Sequence, residues 1–288
     1  MEDKFHIEQL QAMEAMLSST TNYLLHTQRL LEEKNKEISE INNEIFNSIN
    51  FAEIIQKSLL PDRDVLKVFV KDAIYRVIQQ IGIGGDSIFI KNTNYGVAFG
   101  LLDATGHGIP AAMLSISGTL MLNELSATMD IDNPEALVKL LNYRLNSTFN
   151  AGMSLAHLEG TLCFYSSKYN TLNYCSAKGK ILHITSEGKV LELPSTKKSI
   201  GENILSEFDC FSIDYKVGDK LFLCSDGLTD QFGGPNDKKF SKARLKTILE
   251  NHHNMTVNDL DRVIFEEHMN WRKEALQTDD LSFMIIQL

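Results

Sequence analysis

Four short acidic segments lie far apart in the chain, and each places an aspartate where an apolar run meets a turn. The aspartates are Asp86, Asp103, Asp226 and Asp279. A fold can bring such turns together, and carboxylates gathered in one place bind a divalent cation. Glycine adjoins Asp86 and Asp226 directly. Because glycine has no Cβ atom, the backbone there can pass close to an ion or a phosphate. The four segments therefore predict a metal site.

The ligand chemistry of these segments favours Mg2+ or Mn2+ over zinc, which prefers histidine and cysteine. One histidine, His107, follows Asp103 closely. One interpretation is a structural histidine whose hydrogen bonds are made within its own turn, and the other is a residue that transfers a proton or binds a metal. A single histidine favours the first interpretation. Any one aspartate alone would be interpreted as a turn or capping residue. The coincidence of four argues against that interpretation for the set.

Strands and helices alternate in groups in the region that must position these aspartates. Three apolar runs predict strands, and a polar turn predicts a hairpin between the last two: 67–78, 86–91 and 95–102, with the turn at 92–94. Pro110 predicts the start of a helix over 111–125. Residues 133–135 predict the start of a second helix that continues through Leu145.

Short apolar runs separated by polar turns fill the next part of the chain. They predict antiparallel strands at 161–165, 171–176, 181–185, 189–193, 208–215 and 220–224. Ser241 and Thr256 predict the N-termini of helices over 242–250 and 257–272, before a last strand at 281–287. Helices in two groups around a central β region predict an α+β domain in which helices flank two stacked antiparallel sheets.

The N-terminal region has apolar residues at intervals of seven: Leu10, Leu17, Leu24, Leu31, Ile38, Ile45, Ala52 and Leu59. This repeat predicts a supercoiling helix that pairs with a second copy as a coiled-coil homodimer. An alternative is that the stripe packs on its own globular domain. Polar residues such as Lys34 interrupt a second stripe, and they would lower the stability of the pair while setting its register. Pro61 predicts the end of the helix. We expect a coiled-coil helix over 1–60 and one domain over 61–288.

Composition limits the possible function classes. The chain has 288 residues, of which 43% are hydrophobic, and a formal net charge of -10. Without a sustained basic stripe, it is not expected to bind nucleic acid. Because no stretch of about 20 apolar residues occurs, we expect no membrane span and a cytoplasmic location. The four cysteines are widely spaced, which predicts reduced thiols and neither a zinc site nor disulfides.

Five motifs occur in an order that is specific as a set: 84–86, 103–112, 199–201, 225–234 and 277–281. With these motifs the sequence resembles the PPM family of metal-dependent Ser/Thr protein phosphatases. The similarity is to the bacterial branch that includes the stage II sporulation phosphatase and the stress-sigma-factor regulators, and it extends over about residues 50–288. The resemblance implies an αββα sandwich with a two-metal centre at one end of its sheets.

The resemblance also implies the roles of individual residues. Asp86, Asp103, Asp226 and Asp279, with the backbone carbonyl of Ala104, would hold two Mn2+ or Mg2+ ions. A water shared by the ions would attack the phosphoryl group, so no protein nucleophile is needed. The implied substrate is a small anti-anti-sigma-type protein that carries phosphoserine or phosphothreonine. A regulatory protein acting on the N-terminal helix would control the enzyme.

Three departures from the family pattern leave alternatives open. Residues 150–154 lack the acidic residues of many relatives, Phe89 replaces an acidic residue, and no phosphate-binding arginine can be assigned. The principal carboxylates are present, so the sequence favours an active enzyme. The main alternative is an inactive signalling scaffold that binds a partner through the coiled coil. A metal-dependent phosphodiesterase is a third hypothesis.

Overall fold

The computed structural model describes residues 2–128, 133–149, 156–166 and 168–288. The chain divides into two compact units, Met1–Ala52 and Glu53–Leu288. Helix α1 (Glu2–Ser58) contributes residues to both. Among the described residues, no helix has the length and apolar character needed to cross a lipid bilayer.

The first unit is helical throughout its described residues. The predicted long helix is confirmed, and α1 ends at Ser58, shortly before Pro61. The heptad side chains from Leu10 to Ile45 are exposed, from 50% for Ile45 to 68% for Leu17, whereas Ala52 and Leu59 are half-buried. Whether they form a coiled coil, and whether 1–60 and 61–288 are separate domains, stay predictions.

The second unit is built on two five-stranded antiparallel sheets. The first has the strand order β1-β12-β9-β6-β7 and the second has the order β2-β3-β4-β5-β8. The strands are β1 (Asp72–Ile78), β2 (Asp86–Thr93), β3 (Gly96–Ala104), β4 (Leu158–Ser166), β5 (Thr171–Ala177), β6 (Lys180–Ile184), β7 (Val190–Glu192), β8 (Cys210–Ile213), β9 (Lys220–Cys224), a small hairpin of β10 (Phe232–Gly233) and β11 (Lys238–Lys239), and β12 (Leu281–Gln287). The remaining helices are α2 (Asp64–Lys67), α3 (Gly108–Thr128), α4 (Pro134–Phe149), α5 (Gly227–Asp230), α6 (Lys242–Asn251) and α7 (Val257–Arg272).

Three apolar layers hold the sheets and helices together. Side chains alternate along β3, so Ala98 and Leu102 pack under α3 and α4, whereas Phe99 packs between the two sheets. On the far side of the first sheet, Phe283 packs in a third layer with residues of α6 and α7. The order is therefore helices, sheet, sheet, helices, which confirms the predicted αββα sandwich.

One predicted strand begins too early. The apolar run predicts a strand from residue 67, but α2 occupies Asp64–Lys67 and β1 begins at Asp72. Leu66 is buried in the layer between the sheets, and Phe69 packs against the same layer. Packing of this short segment onto the core decided its conformation, because an apolar run alone is compatible with a helical turn or a strand.

Candidate metal centre

The four predicted aspartates lie at the ends of strands that the fold places side by side. Asp86 begins β2 and faces Asp103, near the end of β3, as its register partner. In the other sheet, Asp226 follows β9 and Asp279 precedes β12, and these two strands are paired. After burial, the charges of Asp226 and Asp279 both raise the pKa of Asp103, so these two residues lie near it. The fold therefore brings all four aspartates to one end of the sandwich.

Burial and mutual repulsion dominate the environment of Asp86 and Asp103. Asp86 is 1% exposed, and neither of its carboxylate oxygens has a hydrogen-bond partner among the described residues. Burial raises the pKa of Asp86 well above its ordinary value, and the charge of Asp103 raises it further, while the nearby hydroxyl groups of Ser282 and Ser225 lower it in part. Burial, followed by the charges of Asp226 and Asp279, raises the pKa of Asp103 to about 8. A bound cation would satisfy the Asp86 oxygens and offset this repulsion, so the residues present fit a metal.

In the described part of the chain, no three carboxylate, imidazole or thiol groups converge closely enough to surround one ion. This arrangement differs from the four-ligand cage of a structural zinc site. It is compatible with Mg2+ or Mn2+, because Mg2+ keeps several waters and is bound through one or two carboxylates. The individual ligand assignments stay predictions.

Residues 84–85, which we call the glycine turn, lead into Asp86. The carbonyl of Ala104 lies beside this turn. The backbone N–H of Ala104 donates to the carbonyl of Gly85 at 3.1 Å. A Cβ atom on Gly85 would lie 2.6 Å from the Ala104 oxygen, so this approach requires glycine. The predicted carbonyl ligand is thus next to the predicted carboxylates, although its contact with an ion stays a prediction.

Asp280 holds the glycine turn in place, a role that the sequence did not reveal. One carboxylate oxygen accepts from the N–H of Gln80 at 2.7 Å, and the other accepts from the N–H of Gly85 at 2.6 Å. Gln277 donates to the carbonyl of Asp279 at 2.8 Å. The position of Asp280 beside Asp279 was the one available signal, and it could not separate a ligand from a positioning residue.

Gln56 connects the end of α1 to the same turn. Its side-chain amide donates to the carbonyl of Gly84 at 2.6 Å, and its oxygen accepts from the N–H of Gly84 at 3.2 Å. Gln56 is buried, with 8% of its surface exposed. Nothing in the sequence distinguishes it from other polar residues of α1, because both hydrogen bonds are to backbone distant in sequence.

The remaining predicted positions have clear locations. His107 is exposed just before α3. Burial raises the pKa of Asp279 and of Asp280, and a positive charge on His107 would act in the opposite direction. Phe89 is buried in the layer under α3 and α4, so it serves packing. Residues 150–154, where the family pattern departs, lie outside the described residues.

Several solved structures have the same fold. The SiaA-PP2C domain of Pseudomonas aeruginosa aligns with a TM-score of 0.77 and 21% sequence identity, over 86% of this chain and 98% of that chain. The PP2C domain of SpoIIE from Bacillus subtilis, solved with a fragment of its regulatory domain, aligns with a TM-score of 0.61 and 16% identity, over 75% and 62%. RsbX in complex with magnesium aligns with a TM-score of 0.55 and 16% identity, over 75% and 94%. At these identities the likeness shows the fold alone.

The sequence comparison is more specific than the fold. No curated protein sequence matches this chain. Residues 93–288 match the family described as Stage II sporulation protein E (SpoIIE). The matched stretch covers more than half of the chain and contains Asp103, Asp226 and Asp279. Asp86 lies before it and is the register partner of Asp103. The chain therefore belongs to the SpoIIE family, and the SpoIIE protein of Bacillus subtilis contains a PP2C phosphatase domain with the same fold.

Proposed function

We propose that this chain is an active, metal-dependent phosphatase that hydrolyses phosphoserine or phosphothreonine on a small signalling protein of the anti-anti-sigma type. The observation that supports an active site best is Asp86, a buried carboxylate without a hydrogen-bond partner in the described chain, facing Asp103. A buried charge of this kind is costly unless an ion binds it. A protein that had lost catalysis would have no functional reason to keep a buried carboxylate that lowers its stability.

The residues have distinct tasks in this proposal. Asp86, Asp103, Asp226 and Asp279, with the carbonyl of Ala104, hold two Mn2+ or Mg2+ ions. When bound, these ions activate a water and offset the charge on the phosphoryl oxygens. The glycine turn and the residues that bind its backbone keep the carboxylates in position. A cavity of about 160 Å³ beside Asp103 and Asp226 admits the phosphate.

Activity can be tested by following Mn2+-dependent hydrolysis of an aryl phosphate. Wild type should turn over, whereas Asp226→Asn should lose at least about 100-fold, because even an outer partner of a metal ligand contributes about 10–100-fold. Asp214→Asn is a matched control, since Asp214 is an exposed aspartate after β8. Full turnover in Asp226→Asn would refute the assignment.

Two other outcomes would support the alternative functions. No turnover or metal uptake in wild type would support the scaffold. Faster hydrolysis of a phosphodiester than of a phosphomonoester would support a phosphodiesterase.

Control through the N-terminal helix is a second part of the proposal. We infer that α1 forms a homodimeric coiled coil and that a regulatory protein acts on it in the cytoplasm, where thiols such as Cys210 stay reduced. The exposed heptad side chains support dimerisation. The pairing of Gln56 with Gly84 supports coupling, since a shift at the end of α1 would break two hydrogen bonds to the turn before Asp86.

Gln56→Ala should lower Mn2+-dependent turnover by about tenfold, in line with the loss of an outer partner of a metal site. The glycine turn would lose both side-chain hydrogen bonds while the carboxylates remain. Gln28→Ala is the matched control, because Gln28 is an exposed α1 residue that bonds Glu32 on the same helix. Removing residues 1–45 should also change the rate or its dependence on a partner. If Gln56→Ala and the truncated protein both match wild type in rate and partner dependence, α1 only holds the dimer together.

A further inference from the structure

Three neighbouring cavities share lining residues, and the first of them lies beside the candidate metal centre. The first, of about 160 Å³, is lined by Asp103 and Asp226 together with Lys178 and Lys180. The second, of about 780 Å³, shares both lysines with the first. The third, of about 210 Å³, shares Lys180 and Lys242 with the second. We call the second and third cavities together the lysine groove.

Strand β6 and helix α6 form walls of the lysine groove. Lys180 is the first residue of β6, and its register partner on β9 is Cys224, two residues before Asp226. Side chains alternate along a strand, so Lys180 and Leu182 point to the same face of the sheet. Leu182 packs against the apolar layer that includes residues of α6 and α7. Lys180 is therefore on the α6 side, at the end of the strand next to the candidate centre.

The lysine groove is basic, although the chain has a formal net charge of -10. The described charged residues that line it are Lys178, Lys180, Lys197, Lys242, Lys246 and Glu192. The Lys180 amine donates to the neutral hydroxyl of Thr229 at 3.0 Å. Three of the lysines have carboxylate partners: Lys242 contacts Glu192 at 2.6 Å, Lys178 contacts Glu159 at 3.0 Å, and Lys246 lies 3.8 Å from Glu250. All of these side chains are at least 30% exposed. Exposed pairs contribute only about 0–1 kcal/mol, so a carboxylate of a bound molecule can replace Glu192 as the partner.

We propose that the lysine groove binds acidic residues that flank the phosphorylated side chain of the protein substrate. This inference rests on the proposed phosphatase function. Lys180 lines all three cavities, so it connects the place where the phosphate enters to the groove. The aspartates of the candidate centre repel an acidic segment, whereas the lysines attract it along one direction from that centre. The groove therefore selects a substrate with acidic residues near the phosphorylated side chain.

The test uses two phosphoserine peptides that differ only in whether three glutamates or three glutamines stand on each side of the phosphoserine. Full-length wild type should show a higher kcat/KM for the glutamate peptide. In the double variant Lys242→Glu with Lys246→Glu, the ratio of the two kcat/KM values should fall about tenfold, because two attractions become repulsions. High salt should reduce the wild-type ratio, since exposed charges are screened. The matched control is Lys139→Glu with Lys216→Glu, which reverses two lysines outside the groove.

A second measurement separates failure of the groove from failure of the enzyme. Fluorescence anisotropy of a labelled glutamate peptide without phosphate measures binding even if no peptide is hydrolysed. Weaker binding to the groove variant than to the control variant supports the inference, whether or not the protein is a phosphatase. Equal binding to both variants, or equal kcat/KM for the two peptides in wild type, overturns it. Absence of aryl phosphate hydrolysis in wild type would count against the proposed function alone.

Discussion

Replacing Asp86 by asparagine should give a folded protein that no longer takes up Mn2+ and loses at least about 100-fold in turnover. Asparagine removes the charge while keeping the size of the side chain. Wild type should gain stability from the metal, about 2.7 kcal/mol at a metal concentration 100 times Kd, and Asp86→Asn should gain little. Without metal, Asp86→Asn should be at least as stable as wild type, because it removes a buried carboxylate that lacks a hydrogen-bond partner in the described chain. Calorimetric titration and thermal unfolding with and without Mn2+ measure both effects.

Asp261→Asn is the matched control, because Asp261 is also buried but has a partner. Its carboxylate accepts two hydrogen bonds from Arg76, at 2.9 and 2.5 Å. This substitution should destabilise the metal-free protein, since Arg76 loses its ionic partner, and should leave Mn2+ uptake intact. Wild-type Mn2+ affinity in Asp86→Asn, or a lower stability than wild type without metal, would show that Asp86 has a structural role instead.

Replacing Gly227 by alanine should impair both stability and catalysis. A Cβ atom there would lie 2.0 Å from the carbonyl oxygen of Asp280 and 3.1 Å from the Cβ atom of Asp279. A backbone carbonyl cannot rotate out of the way as a side chain can, so either α5 or the segment before β12 must shift. Asp226 immediately precedes α5, and Asp279 lies in the segment before β12. We expect a loss of about 1–3 kcal/mol in the free energy of unfolding. We expect about a 100-fold loss in turnover, as for a displacement of about 1 Å at a reaction centre.

Gly118→Ala is the control for this prediction. Its Cβ atom would meet a terminal methyl group of Leu158 at 2.7 Å, which is the flexible end of a side chain. Because Gly118 lies inside α3, alanine also favours the helix by up to about 1 kcal/mol. Urea unfolding should place Gly118→Ala within about 1 kcal/mol of wild type, and its turnover should persist. Wild-type turnover in Gly227→Ala would mean that the positions of Asp226 and Asp279 tolerate a backbone shift.

Local patterns were sufficient for several elements of the fold. The bounds of β9, α7 and β12 agree with those predicted from the sequence. The side chains of Ser241 and Thr256 accept the expected capping hydrogen bonds from backbone N–H groups. Alternation, helical spacing and capping each involve residues close in sequence, so they can be recognised without a structure. The predicted start of the first strand, at residue 67, was wrong. The conformation there depends on contacts with the core, whose residues are distant in sequence.

The sequence by itself determined the fold family and named the candidate aspartates, since turn residues, glycines and motif order are local features. Only the tertiary structure decided that Asp86 faces Asp103, that Gln56 binds the glycine turn, and that Lys180 connects the candidate centre to a basic groove. Each of these contacts joins residues far apart in the chain or depends on which face of a sheet a side chain occupies. Strand pairing and sheet stacking set such distances, and one sequence alone contains no direct record of them.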